Sequence, residues 1–356
     1  MHVEENQATR TSVRQRFAST RLAGHEVTPD NLVNEEGEFV HFALLAYAEP
    51  INYEVALNED VWKNAMIEEL NSVNRNNTWE LTELPASKKP IDVKWIFKLK
   101  LKPNGEIAKH KARLVARGFM QKAGMDYFEV YALVARLETV RLIVAIACGR
   151  NCPMYHLHVK SAFLNGPLDE EVYVTQPPGF KIKGKENMVY RLHKALDGLK
   201  QALRAWNKRI DSFLMQQEFV KCKSEYGVYV KKGNEGNQLL ICLYVDFLIV
   251  TGSDVNEIEA FKSQMMSEFE MSDLGKLTYF LGMEFTEVVE GLVMHEMKYA
   301  SDILKRFNMM NCNPSSSPTE TNVKLVMNEE EEPVNPTLFK QIVYAIVGLI
   351  FHMQLV

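Results

Sequence analysis

The ten residues LYVDFLIVTG, Leu243 to Gly252, decide how this chain folds. They read as a strand, a two-residue turn and a second strand, with Asp246 at an exposed apex. The flanks, Leu239 to Val245 and Leu248 to Val250, are apolar and rich in β-formers, which describes a hairpin buried in a core rather than a surface loop. A carboxylate at the tip of such a hairpin is a candidate site residue. The next position, Phe247, supplies no second acid.

Working outward, the hairpin belongs to a chain of 356 residues with 46% hydrophobic and 10% aromatic content, enough for a large core in one or two domains. The net charge of −5 excludes a uniformly basic coat. Charge is nevertheless uneven: between Lys88 and Lys122 eleven Lys and Arg face two acids, Asp92 and Glu106. A concentrated basic stretch is the footprint of phosphate contact, or a solvated charged face. The five cysteines (148, 152, 222, 242, 312) have no metal-ligand spacing and read as reduced thiols of an intracellular protein, cytoplasmic or nuclear. Met1 to Asp30 is mostly polar, as expected without a signal peptide. The apolar run Ile342 to Phe351 is too short to span a bilayer.

Residues 1–44 read as a polar linker or tail. Beyond them, Trp62, Met66, Leu70 and Val73 recur at helical spacing. Val93 to Leu101 alternates and meets the turn signal Pro103-Asn104-Gly105, so it predicts a hairpin whose return strand carries KHKARLVARGF. Helices are expected over Leu137 to Cys148, Leu199 to Phe219 and Glu257 to Phe269, the last capped by Ser253 or Asp254. Strands are expected over Met154 to Val159, Glu171 to Thr175, Val228 to Lys232, Leu239 to Val250 and Phe280 to Phe285. Helices mixed with hairpins, without βαβ alternation, make the fold class α+β.

The ordered strings NTWEL (77–81), KWIFKLK (94–100), KHKARLVARGF (109–119), VARLETVR (134–141), HVKSAFLNGPLDEEVYVTQPPGF (158–180), VYRLHKALDGLKQALRAW (189–206), LYVDF (243–247), DLGKLTYFLGMEF (273–285) and KYASDILKRFNM (298–309) resemble the reverse transcriptase region of copia-type LTR-retrotransposon Pol polyproteins. The likeness runs from about Asn58 to Val343. It implies a right-hand polymerase: fingers and palm over 45–285, the palm on an antiparallel sheet, and a thumb or connection-like region over 286–343. Residues 344–356 are expected to be a divergent, truncated end. No protease, integrase or complete ribonuclease H signature accompanies these strings.

The resemblance implies RNA-directed DNA synthesis on an RNA template with a DNA primer, using two Mg²⁺ ions held by carboxylates. In the family one Asp opens the string that here begins at His158, and two more form the turn that here reads Asp246-Phe247. Only Asp246 remains of three metal-binding acids, so Mg²⁺ binding is expected to be impaired. An imidazole prefers softer metals, and Phe247 is no ligand. Further departures are Leu133 and Leu203 in place of Pro and Asp197 in place of Tyr.

By the same resemblance Phe163 packs under the incoming sugar, with a plain core aromatic as the competing reading. Lys109, Lys111 and Arg113 meet the triphosphate and template phosphates, and Gln201 sits at the nucleotide pocket. Phe280, Leu281, Gly282 and Met283 form the hairpin of the primer grip, with Gly282 letting a backbone approach closely. The acidic run Asp169 to Glu171 reads as the solvated start of a strand. Three functions follow: a catalytically disabled reverse transcriptase, a weakly active polymerase with an altered metal site, or a nucleic-acid-binding module co-opted from the element.

Overall fold

The computed structural model describes residues 49–102, 106–132, 134–233, 236–288, 291–313 and 336–353. The expected polar tail, the Pro103-Asn104-Gly105 turn and Leu133 lie outside them. In chain order the helices are α1 (Tyr53–Leu57), α2 (Asp60–Arg75), α3 (Leu137–Gly149), α4 (Ala202–Gln216), α5 (Val255–Glu268), α6 (Met297–Arg306) and α7 (Pro336–Met353). The strands are β1 (Trp79–Thr82), β2 (Val93–Leu101), β3 (Ile107–Ala116), β4 (Met154–Val159), β5 (Pro167–Val174), β6 (Val189–Lys194), β7 (Val220–Lys221), β8 (Val228–Lys232), β9 (Gln238–Tyr244), β10 (Phe247–Gly252), β11 (Met271–Lys276), β12 (Tyr279–Phe280), β13 (Met283–Val288) and β14 (Gly291–His295). Helices and antiparallel sheets in this mixture are α+β, as the pattern predicted.

The centre is a six-stranded sheet ordered β11-β4-β10-β9-β8-β7. Side chains alternate across a strand, so each strand divides by parity between two cores. Leu157 and Val159 of β4, Leu239, Ile241 and Leu243 of β9, and Leu248 and Val250 of β10 face α4 and α5, packing on Trp206, Ile210, Phe213, Leu214, Ile258 and Met265. Met154, Cys242 and Ile249 face the other way, onto α3 through Val140, Ile143 and Ala147, and onto Phe280, Met283 and Phe285. Both faces are covered, which is why the sequence around Asp246 is an almost unbroken apolar run. Lys262, buried on α5, is paired with Glu259 and Asp273 and so ties α5 to β11.

A second, three-stranded sheet (β1-β6-β5) and the β2-β3 hairpin lie before and beside it. One face of the hairpin packs on α2: Trp62 meets Phe97 edge-on at 5.5 Å and His110 at 4.7 Å between ring centroids. Several boundaries depart from expectation. α4 starts at Ala202 rather than Leu199 and stops at Gln216, while β5 starts four residues earlier than predicted. The single strand expected over Phe280 to Phe285 is two, broken at Leu281-Gly282, where φ is +50° and +89°. All five cysteines are free thiols. Among the described residues no helix is long and apolar enough to cross a membrane. The described side chains of α7 from Pro336 to Ala345 are exposed or half-buried, and most of the 344–356 segment lies outside those described.

Candidate functional site

The β9-β10 hairpin closes with Tyr244 paired to Phe247, so its loop is Val245-Asp246 and not the Asp246-Phe247 turn the sequence suggested. Phe247 is already a strand residue. Val245 takes φ +55°, where β-branched side chains are rarely found and which costs roughly 1–3 kcal/mol. Two hydrogen bonds hold the loop there. The Trp206 indole Nε1 donates to the Val245 carbonyl at 2.7 Å, and the Val159 N–H donates to the Asp246 carbonyl at 2.8 Å. The second bond fastens the loop to β4 one residue past His158.

That fastening sets the side chains. His158 Nε2 lies 3.3 Å from Asp246 Oδ2, each side chain about one third exposed (31% and 33%), so Asp246 is half-buried rather than exposed. Phe247, opposite His158 in the ladder, stacks on its ring at 4.7 Å and 26°. His156, two residues earlier on the same face, is wedged between Phe247 and Phe280 with Nε2 lacking a protein partner among the described residues. Burial, with a smaller contribution from His158, pushes its pKa down to about 4. Two cavities of about 250 and 650 Å³ lie elsewhere, one lined by Cys152 and Thr251, the other by Tyr53 and Arg117. The His158–Asp246 pair belongs to neither.

The donor set at the hairpin tip is one carboxylate and one imidazole. Among the described residues no three His, Cys, Asp or Glu converge in a way that could hold a metal ion. Two Mg²⁺ ions require several oxygen ligands, and these residues do not fit them.

The other predicted positions scatter around this centre. Phe163 is half-buried and packs against two cores at once, that of the central sheet and that of the three-stranded sheet. Gln201 is 2% exposed; its Nε2 donates to the Asp126 carbonyl at 2.8 Å and its Oε1 accepts from Gln121 Nε2 at 2.9 Å. Its amide is committed within the protein. Leu203 falls in the first turn of α4, where a backbone N–H has no partner within the helix, so Pro and Leu serve equally there. Phe280 and Met283 are each 1% exposed, which leaves only the Leu281-Gly282 turn accessible. Gly282 is required by its φ and not by a close approach, since a Cβ there would meet nothing within 4 Å.

On the β2-β3 hairpin, Lys98 pairs with Lys111, Lys100 with Lys109 and Ile96 with Arg113, so the ladder collects Lys94, Lys98, Lys100, Lys109, Lys111 and Arg113 on the face turned away from Trp62, with Glu68 and Glu69 of α2 reaching its β3 edge. Lys109 reaches Glu68 at 2.7 Å in an exposed pair. Lys111 is held below the ordinary lysine range by burial, then by Arg113 and Lys100. Arg113 Nη1 meets Asp197 Oδ2 at 2.6 Å. Burial opposes the Arg113 charge, yet Asp197, Glu69 and Asp246 outweigh it and its pKa rises. Glu69 itself is raised, chiefly by burial. Sequence reasoning assigned no role to Trp206 beyond its place in an expected helix, and missed that of Asp197, whose only signal was an acid in place of an aromatic.

Residues 76–321 match the family described as Reverse transcriptase (RNA-dependent DNA polymerase). The chain is 40% identical over 263 residues to the Retrovirus-related Pol polyprotein from transposon TNT 1-94 of Nicotiana tabacum, covering 73% of this chain and 20% of that one. It is 35% identical over 311 residues to the corresponding polyprotein from transposon RE2 of Arabidopsis thaliana, covering 87% and 21%. The Transposon Ty1-GR3 Gag-Pol polyprotein of Saccharomyces cerevisiae is 29% identical over 279 residues, covering 75% and 15%. The chain thus spans about a fifth of the length of its plant relatives.

Proposed function

Because the chain belongs to the reverse transcriptase (RNA-dependent DNA polymerase) family, we propose that it is a copia-type retrotransposon reverse transcriptase domain that retains the grip on template and primer and has lost synthesis. In this reading the six-stranded sheet with α4 and α5 is the palm. The β2-β3 hairpin and the β1-β6-β5 sheet belong to the fingers, and residues 286–343 to a thumb or connection. An RNA template and a DNA primer are the ligands.

The observation that carries the reading is the His158–Asp246 contact at 3.3 Å with Phe247 stacked on it. It stands where the family's chemistry needs three acids. Divalent metal, when bound in the family, activates the primer hydroxyl and neutralises the triphosphate. Here a single carboxylate replaces three, and each loss of about 1.4 kcal/mol in transition-state stabilisation is tenfold in rate. Among the described residues Asp246 is the one at this tip that offers Mg²⁺ an anionic oxygen.

The cationic hairpin face supports retained binding, with Lys98, Lys100 and Lys111 as the phosphate contacts. Gln201 supports the loop beneath the nucleotide position through Gln121 and Asp126 rather than touching the ligand, and Phe163 and the Leu281-Gly282 turn border the sugar and primer positions. A fluorescent RNA–DNA hybrid titrated at several salt concentrations, beside a primer-extension assay with Mg²⁺ or Mn²⁺, tests both halves. Salt-dependent binding without extension is the expected result. Extension with Mn²⁺ would favour the altered metal site instead, and absent binding would leave neither function.

A further inference from the structure

We propose that Asp197 is an internal counter-anion that occupies Arg113 and withholds it from nucleic-acid phosphates, so that the cationic hairpin engages one phosphate fewer than its side chains offer. This rests on the reading of the hairpin as the phosphate-binding face.

The six cations of that face are not equivalent. Among the described residues Lys94, Lys98 and Lys100 are exposed and make no ion pair. The Lys109–Glu68 pair is more than half exposed on both sides, at 56% and 61%, so water and ions compete for it readily. The Arg113–Asp197 pair is shorter and drier, at 2.6 Å with side chains 29% and 18% exposed. A charge-assisted bond in that setting is harder to displace.

The backbone delivers Asp197 to this place. Its carbonyl accepts the Ala116 N–H at 2.8 Å, at the end of the same strand that carries Arg113. Gly198 follows with φ +86°, and a Cβ on it would collide with the Ala116 carbonyl, so the loop lies flat against the hairpin. The carboxylate is therefore fixed beside the guanidinium rather than reaching it by chance rotation. A phosphate approaching Arg113 meets that carboxylate as a like charge.

Asp197→Asn keeps the shape and the Ala116 bond and removes the charge. With the full chain and a fluorescein-labelled RNA–DNA hybrid, the slope of log K against log salt should steepen by roughly 0.7–0.9, one additional phosphate neutralised. Adding Arg113→Ala should return the slope to the parent value, while Asp197→Glu should keep it there. Melting curves establish that each variant is folded. A salt-dependent parent with an unchanged Asp197→Asn slope overturns this inference alone, as does a steepening that survives Arg113→Ala. A parent whose binding ignores salt overturns the hairpin reading and this inference together.

Discussion

The indole of Trp206 on α4 donates to the carbonyl of Val245 at 2.7 Å, so a helix on one face of the central sheet fixes the backbone of the loop that carries Asp246. The bond ties packing to site geometry. A buried aromatic in the α4 core supplies the donor, and the acceptor sits in a loop strained at φ +55°.

Trp206→Phe keeps a ring in the core and removes the donor. The Val245 carbonyl then loses its protein partner, at a cost of about 1–3 kcal/mol including the smaller ring. The expected outcome is a lower melting temperature with faster amide exchange at Asp246 and Phe247 and little change in β8. Equal loosening of all strands would show that Trp206 acts by bulk alone.

Gln201→Ala strips Gln121 Nε2 and the Asp126 carbonyl of their shared partner inside the protein. Stability should fall by about 1–3 kcal/mol, read as a shift in urea midpoint. Affinity of the folded fraction for an RNA–DNA hybrid should stay close to that of the parent. A large affinity loss at unchanged stability would put Gln201 in contact with the ligand after all.

His156 gives the fold a pH signature. Its pKa falls from an unfolded value near 6.5 to about 4 in the folded protein, so the unfolded chain binds the extra proton first. The stability it allows is complete above pH 6.5 and declines as pH drops toward 4, by at most about 3 kcal/mol. His156→Phe, filling the space between Phe247 and Phe280, should flatten the stability profile over that window. A variant that loses stability across the same pH range as steeply as the parent would assign the decline to other groups.

Much of the fold was legible because burial on two faces leaves a strong imprint on sequence. The apolar runs of β9 and β10, the helical spacing of Trp62, Met66 and Val73, and the alternation of β2 and β3 each have one physical explanation. Asp254, expected as a cap of α5, does accept from the Asn256 N–H at 2.8 Å. The turn at Leu281-Gly282 was hidden from the residue pattern, because Phe280 and Met283 on either side are apolar and buried and a short hairpin then looks like one strand; the family resemblance alone marked a hairpin there. At the site, residue types and the family resemblance gave the expectation that Asp246 is the one acid kept of three. Only three-dimensional geometry could show that His158 and Phe247 pack on one another, that Gln201 faces inward, or that Asp197 lies against Arg113. The pairs Trp206–Val245, Gln121–Gln201, Arg113–Asp197 and His158–Asp246 lie 39–88 positions apart in sequence, beyond the reach of any local pattern.

The most direct test is Mg²⁺-dependent primer extension on a defined RNA template, comparing the parent with His158→Asp, Phe247→Asp and the two together. Both positions border Asp246 on neighbouring strands, so the double variant places three acids at one tip. The parent should give no detectable extension, the double variant measurable extension and either single variant less. Efficient Mg²⁺-dependent synthesis by the unmodified chain would contradict the loss of synthesis proposed for it.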